Sequence, residues 1–395
     1  MFYNENVDTF EKMRLLQSEM RLEVAEDVSL PGSPLTNSLP DVPSFCPADF
    51  PISTATLPNG KKIPLLKSLL TSACERNCHY CPFRMGRDFR RITFKPEELA
   101  KAVVDLTTRG VIQGAFLSSG IAGGGLRTQD RLLATAEILR KKYQYQGYLH
   151  LKIMPGAEYD QVVAAMQLAD RVSINLEGPN TQRLQALAPQ KIFFDELLEP
   201  LRWIEKIRQT LPPWQGWKSH WPSSTTQFVV GAVGESDLEL LSVTAWLYQK
   251  VRLGRAYFSG FSPTSDTPFE DRPACSPWRE HRLYQASFLL RDYGFDVEDL
   301  PFTREGYLPL ETDPKLAWAQ THLIHKPVEI NRAEAKELLR VPGIGPKTAQ
   351  AILSARRNQR IKSEDDLKRL GVPINRAAPF LLVNGRLLQH QLRLW

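Results

Sequence analysis

The chain has 395 residues, 42% of them hydrophobic and 24% charged, with a net charge of +6; that is apolar material for one large core or two unequal ones, and it excludes a disordered chain. Its five cysteines are odd in number and three are crowded together, which argues against a disulfide framework. No apolar run approaches a membrane span, and the charged start MFYNENVDTFEKMRLL does not read as a signal peptide, so the expectation is a cytoplasmic protein with no membrane partner.

Residues 1–51 predict a helix from about Val7 to Glu26 and then an extended arm, SLPGSPLTNSLPDVPS, on which no regular structure is forced. From Pro64 onward short apolar runs alternate with amphipathic helical stretches. The runs are PLLKSLLTS, GAFLSSG, GYLHLKIMPG, RVSINLEG, TTQFVVGAVG and RAYFSGFSP. Strand followed by helix, repeated in this way, predicts a parallel sheet curled into a barrel or partial barrel, with a flat doubly wound sheet as the alternative. Alternation separates the two. Leu149, Leu151 and Ile153 share one strand face, His150 and Lys152 the other; Val172, Ile174 and Leu176 lie opposite Ser173, Asn175 and Glu177. A doubly wound sheet is apolar on both faces, so a polar face implies a lumen that holds a ligand. The expected α/β architecture is a partial (β/α)6-type barrel over residues 52–328 and an all-α domain over residues 329–395.

The stretch SACERNCHYCPF places Cys74, Cys78 and Cys81 directly after the first strand of this series, at the end where barrel enzymes carry their chemistry. Three thiolates satisfy three irons of a [4Fe–4S] cube and leave one iron open. A structural zinc would need a fourth ligand, for which His79 is the local candidate. Cys46 and Cys275 form no pair in sequence and read as small buried residues.

CxxxCxΦC after the first strand of a βα barrel resembles the radical S-adenosylmethionine (SAM) superfamily. The resemblance implies that the open iron chelates the amino and carboxylate groups of SAM, and that electron transfer cleaves SAM to a 5′-deoxyadenosyl radical. It further implies that Tyr80 lies beside the adenine ring, and that LSSG, with Ser118, Ser119 and Gly120, meets the SAM amino group. The usual acidic residue is absent there and IAGGG follows instead. Asn175 and Glu177 are the candidates for the ribose hydroxyls or the methionine end. Gly231, in VVGAVGES, is similar to the fifth-strand element that lets backbone approach adenine. Inside the lumen, His150, Lys152 and Tyr257 are candidates for substrate contact.

The basicity belongs to the tail. From Asn331 to Trp395, 13 Lys and Arg face 5 Asp and Glu, a balance of +8 that leaves −2 for the preceding residues. Such an excess suits an anionic polymer. Within it, LLRVPGIGPKTAQAILSARR matches a helix-hairpin-helix motif: Gly343 and Gly345 permit a turn that exposes successive N–H groups at a helix start, and Pro346 opens the second helix. Lys347, Arg356, Arg357, Arg360 and Lys362 continue the basic surface. A degenerate second copy has Gly371 but Asn375 in place of a second hairpin glycine. After the sixth strand, REHRLYQASFLLRDYGF predicts an amphipathic helix whose Arg279, His281 and Arg282 are candidates for facing phosphates.

Both ends together resemble DNA modification or repair radical SAM proteins that carry a C-terminal helix-hairpin-helix and are associated with a uracil-DNA-glycosylase-like partner. This resemblance implies a [4Fe–4S] cluster and SAM as cofactors, DNA as substrate, and a reductant such as flavodoxin or ferredoxin. Two other readings stay open: an RNA- or tRNA-modifying radical SAM enzyme, and a non-catalytic iron-sulfur DNA-binding module.

Overall fold

The computed structural model describes residues 8–20, 51–56 and 62–388. The arm expected after the first helix, Cys46 included, lies outside the described residues. Helix α1 runs Thr9–Met20, within the predicted span, and its Lys12 forms an ion pair with Glu98 at 2.7 Å.

Each of the six predicted strands is present, in the order β2 (Lys62–Leu69), β3 (Gly114–Ser118), β4 (Tyr148–Lys152), β5 (Arg171–Ser173), β6 (Ser223–Val230) and β7 (Arg255–Gly260), with all neighbours parallel. Sequence order without reversal is the order of a barrel wall; a doubly wound sheet reverses at its switch point. A seventh strand, β1 (Ile52–Thr56), pairs antiparallel with β2 at the edge. It hides in the sequence as ISTAT, too short and too polar to read as a strand. Helices α2 (Pro96–Thr108), α3 (Gly125–Glu137), α4 (Tyr159–Leu168), α5 (Thr181–Leu187), α6 (Glu199–Thr210) and α7 (Asp237–Lys250) make the crossovers. Their starts follow capping chemistry: α2 opens on Pro96, and Glu98 reaches back to accept the Lys95 N–H at 3.1 Å.

The strand faces divide as the alternation requires. Leu149, Leu151, Val172, Ile174 and Leu176 are all within 1% of complete burial on the helix-bearing side. His150, Ser173 and Thr225 line the lumen in one layer, with Lys152, Asn175, Gln227 and Glu177 above them toward the strand ends.

The chain forms two compact units, one of residues 1–235 with 246–277, the other of residues 236–245 with 278–395. The boundary expected at residue 328 therefore lies inside the second unit, because the apolar core there begins upstream. Ala319, Leu323 and Val328 are buried together with Leu338, Val341, Ile344, Ile352 and Leu381. This unit contains α8 (Pro277–Asp292, whose Pro277 belongs to the first unit), α9 (Pro314–His322), α10 (Ala335–Arg340), α11 (Pro346–Asn358), α12 (Glu364–Arg369) and α13 (Ile374–Ala377). It is helical as expected, but not purely so. Strands β8 (Val328–Glu329), β9 (Leu381–Val383) and β10 (Arg386–Leu387) form a small sheet in the order β10-β9-β8, too short for any sequence period to reveal.

Candidate functional site

Between β2 and α2 the chain makes a long loop with little regular structure of its own, so its backbone polar groups need other partners. Arg91 supplies them. Its guanidinium donates to the carbonyls of Ser72 (2.8 Å), Phe83 (2.7 Å), Arg84 (2.7 Å) and Arg87 (3.2 Å) and stacks on Phe89 at 3.8 Å. Both ends of the cysteine segment are thereby gathered onto one side chain, a task suited to a five-donor group with no acceptor. Ser72 and Ile92 close the base of the loop, their backbone N–H and C=O bonding at 2.8 Å and the Ile92 N–H reaching Ser72 Oγ at 2.8 Å.

Folded in this way, the loop brings Cys74, Cys78 and Cys81 to one wall of a cavity of about 1080 Å³, including its solvent-filled mouth, at the ends of the strands. The Phe83 N–H points at Cys81 Sγ at 3.4 Å. Burial pushes the Cys78 and Cys81 thiols up, which disfavours the free thiolates there. Among the described residues no three His, Cys, Asp or Glu side chains converge on a single metal ion. Three thiolates suit a cube, in which each holds a separate iron. His79 is turned away from the cysteines, its Nδ1 3.1 Å from the Ala186 carbonyl and its ring edge-on to Phe269. The donor set fits an iron-sulfur cluster held by three cysteines.

The end of β3 abuts this loop. Gly120 donates its N–H to the Thr71 carbonyl at 2.7 Å, and a Cβ on Gly120 would stand 2.3 Å from the Ala73 carbonyl oxygen. Glycine here is a matter of close approach. Ser119 Oγ donates to the Gly120 carbonyl at 2.7 Å. The IAGGG segment that follows has an acid after all, supplied from the cysteine loop: the Glu75 carboxylate accepts the N–H groups of Gly123 and Gly124 at 3.0 and 3.1 Å.

The same cavity holds a buried ion pair whose cation sequence reasoning missed. Glu177 is held at φ +62, an unfavourable backbone for a non-glycine residue, by bonds from its N–H to the Gln227 carbonyl (3.0 Å) and from the Val229 N–H to its own carbonyl (2.8 Å). Its carboxylate meets Lys191 Nζ at 2.8 Å, with side-chain exposures of 5% and 10%, and it accepts a hydrogen bond from the Tyr80 hydroxyl. Burial alone would push the Glu177 carboxyl up, but Lys191 and then Lys152 outweigh it and hold it below the ordinary range. Burial likewise opposes the Lys191 ammonium, yet Glu177 and Cys78 hold its pKa above normal. Lys191 falls in a loop, APQKIFF, with no periodicity to mark it as inward.

The cavity thus collects Cys74, Cys78, Cys81, Tyr80, Ser118, Ser119, Gly120, Lys152, Asn175 and Glu177. It does not collect the others. His150 and Tyr257 border a second, smaller space of about 220 Å³ in the lumen, which shares Asn175 and Gln227 with the main cavity. Burial and the charges of Arg171 and Lys152 hold the His150 pKa well below its ordinary value, so the ring is neutral. Gly231, at φ +89, packs on Cys275, which a Cβ would approach to 2.8 Å. Its N–H is bound by the buried Glu235 carboxylate, and it is not part of the cavity wall.

In the second unit Gly343 is at φ +86, and a Cβ there would meet Pro373 Cγ at 2.5 Å; the degenerate second hairpin packs against the first. Gly345 caps α11 and Pro346 opens it. Lys347, Arg357, Arg360 and Lys362 are exposed. Arg356 is not available as a phosphate ligand in the way the sequence suggested, because its Nη1 donates to the carbonyls of Ile330 (3.1 Å) and Ala333 (2.6 Å). Arg279 and Arg282 are likewise occupied, Arg279 by Asp237 at 2.8 Å and Arg282 by the Leu310 carbonyl at 2.7 and 2.9 Å.

Residues 68–211 match the family model described as radical SAM superfamily, and residues 324–381 match the model for a helix-hairpin-helix motif. No curated protein matches this chain. Similar solved structures include methylornithine synthase PylB (14% identity, TM-score 0.45, covering 57% of this chain and 61% of that one). They also include the FeFe-hydrogenase maturase HydG from Carboxydothermus hydrogenoformans (14%, 0.45, 57% and 51%) and the radical SAM methyltransferase TsrM from Kitasatospora setae (14%, 0.39, 55% and 39%). The chain spans 61% or less of the length of each of these three. Residues 68–211 carry a radical SAM superfamily domain, of the superfamily whose members use a [4Fe–4S] cluster and S-adenosylmethionine, and residues 324–381 carry a helix-hairpin-helix motif.

Proposed function

We propose that the protein is a SAM-dependent radical enzyme that acts on DNA, in modification or repair, with the barrel as reaction chamber and the helix-hairpin-helix as its grip on the polymer. The observation that carries the first part is the convergence of Cys74, Cys78 and Cys81 on a cavity that also holds Tyr80, Ser118, Asn175 and the Glu177–Lys191 pair. The three cysteines hold the cluster. When bound, cluster and SAM supply a 5′-deoxyadenosyl radical. Tyr80 offers its ring face to adenine while its hydroxyl holds the Glu177 carboxylate in place. Glu177 and the cations Lys152 and Lys191 present both signs of charge to the zwitterionic methionine end. Asn175 and Gln227, shared with the inner space beside His150 and Tyr257, orient the reacting group of the substrate.

The second part rests on the helix-hairpin-helix match and the exposed cations around it, which suit sequence-independent phosphate binding. A base must leave the stack to enter a barrel lumen, which favours single-stranded, damaged or flipped nucleotides. A flavodoxin- or ferredoxin-like reductant and a uracil-DNA-glycosylase-like protein are the partners this reading calls for.

Anaerobic reconstitution should load about four irons per chain, and SAM should change the EPR spectrum of the reduced cluster. Cys78→Ala should lose both signals. SAM turnover with defined oligonucleotides, followed by mass spectrometry of the nucleosides, then tests the substrate. Products from RNA alone would move the assignment to an RNA-modifying enzyme, and a cluster blind to SAM would leave an iron-sulfur DNA-binding module.

A further inference from the structure

The hairpin of the second unit rests on a buried cation that the motif itself does not contain. Lys315 is the second residue of α9, upstream of the matched residues 324–381, and only 8% exposed. Its Nζ donates to the Ile344 carbonyl at 2.6 Å and lies 4.6 Å from the centre of the Tyr293 ring. The carboxylate that faces it, Asp313, is committed elsewhere. Asp313 caps α9 by accepting the Leu316 N–H at 2.9 Å and pairs with Arg376 at 2.5 Å, while Asp299 pairs with Arg340 at 2.7 Å. Lys315 itself makes no ion pair among the described residues. A buried ammonium without a bonded counter-ion is costly, so its placement under the hairpin calls for a reason.

Peptide geometry supplies one. In a trans peptide the carbonyl of one residue and the N–H of the next point in opposite directions. With the Ile344 carbonyl drawn inward onto Lys315, the Gly345 N–H is turned outward, and it donates to no protein acceptor among the described residues. A charged donor on the carbonyl also polarises the N–H across the same peptide. Gly345 caps the 13-residue helix α11, so this N–H is part of the positive helix start.

We propose that Lys315 is a positioning residue for nucleic-acid phosphate: it aims and polarises the Gly345 amide, and its positive charge couples phosphate binding to proton uptake. The inference rests on the reading that the hairpin binds a nucleic-acid backbone. The groups that face Lys315 are Tyr293 after α8, Asp313 before α9, Arg340 at the end of α10 and Arg376 in α13. Burial lowers the Lys315 pKa to about 7; Asp313 opposes the shift, and Arg376 and Arg340 add to it. A phosphate at Gly345 favours the charged amine, so binding raises this pKa. Above pH 7 the free protein must therefore take up a proton to bind, and affinity falls as pH rises. A bound-state pKa one unit higher gives about a tenfold loss across the titration. Two neighbouring groups titrate outside that window: the pKa of Tyr293 lies above its ordinary value of 10 and that of His281, near Asp313, below 6.5.

The test is fluorescence anisotropy of a labelled DNA oligonucleotide with the intact chain, at fixed ionic strength from pH 6.5 to 9. The wild type should lose about tenfold in affinity, Lys315→Met should bind weakly with no slope, and Lys315→Arg, which stays charged, should bind without the slope. A flat wild-type profile, or an undiminished slope in Lys315→Met, overturns the inference while leaving DNA binding intact. Should Lys315→Met fail to fold, the wild-type slope against the flat Lys315→Arg profile decides. Absence of binding at low salt, or binding indifferent to Lys347→Glu, overturns instead the reading of the hairpin on which the inference rests.

Discussion

Lys191 and Glu177 show how much of the site rests on single side chains. Each is nearly withdrawn from water, and each is the other's counter-charge at 2.8 Å. Removing one partner of a buried pair leaves an uncompensated charge, at a cost of about 3–5 kcal/mol. Lys191→Met should accordingly lower the midpoint of anaerobic urea unfolding by an amount of that order. The double variant Lys191→Met/Glu177→Gln should recover much of the loss, because no bare carboxylate remains. Equal destabilisation by single and double variants would show that the two groups act independently. Glu177 was legible in the sequence as an inward position on an alternating strand, since a period of two needs only local geometry. Lys191 was not, because what brings it inward is the path of a loop across the barrel mouth.

At the scale of elements, the cysteine loop is a segment whose shape is imposed by Arg91 rather than by a regular hydrogen-bond ladder. A lysine at this position would keep the charge but lose the planar fork that reaches carbonyls on both sides of the loop. Arg91→Lys should therefore reduce the iron bound after anaerobic reconstitution to less than half of the wild-type value, with the far-UV circular dichroism of the barrel kept. Full iron loading in this variant would show that the loop holds its form unaided. The motif spacing singled out the three cysteines, and the fold brings them to one cavity. The residues that shape the loop were silent, since an arginine in RDFRR reads as solvated charge. The basic tail carries the same lesson in reverse: Arg356 looks like a polymer ligand in sequence and serves as an internal clamp in the fold.

For the molecule as a whole, the division into units matters for how its two parts can be studied. The second unit buries Ala319 and Leu323 with residues as distant as Leu381 and Val383, and β8 finds its partner in β9. A chain ended after Val328 would keep one side of that core and expose it to water, creating an apolar surface prone to association. Such a truncation should elute as aggregate in size-exclusion chromatography, whereas Lys347→Glu in the intact chain should stay monodisperse. A monodisperse, folded 1–328 fragment would place the boundary where the tail's composition first suggested it.

What the sequence by itself determined is what short-range rules carry: six alternating strands in order, the crossover helices between them, three cysteines at the head of the first crossover loop, and the proline and glycines of the hairpin. These depend on local periodicity, capping and backbone freedom, which neighbours in the chain dictate. Only the tertiary structure decided which polar side chains face one another. It alone paired Glu177 with Lys191, set Glu75 against the glycines after β3, separated His150 and Tyr257 from the main cavity, and carried Lys315 beneath the Ile344 carbonyl. Those pairings satisfy buried charge and backbone across long separations in sequence, and the need for them arises only once the chain has folded and water has been excluded.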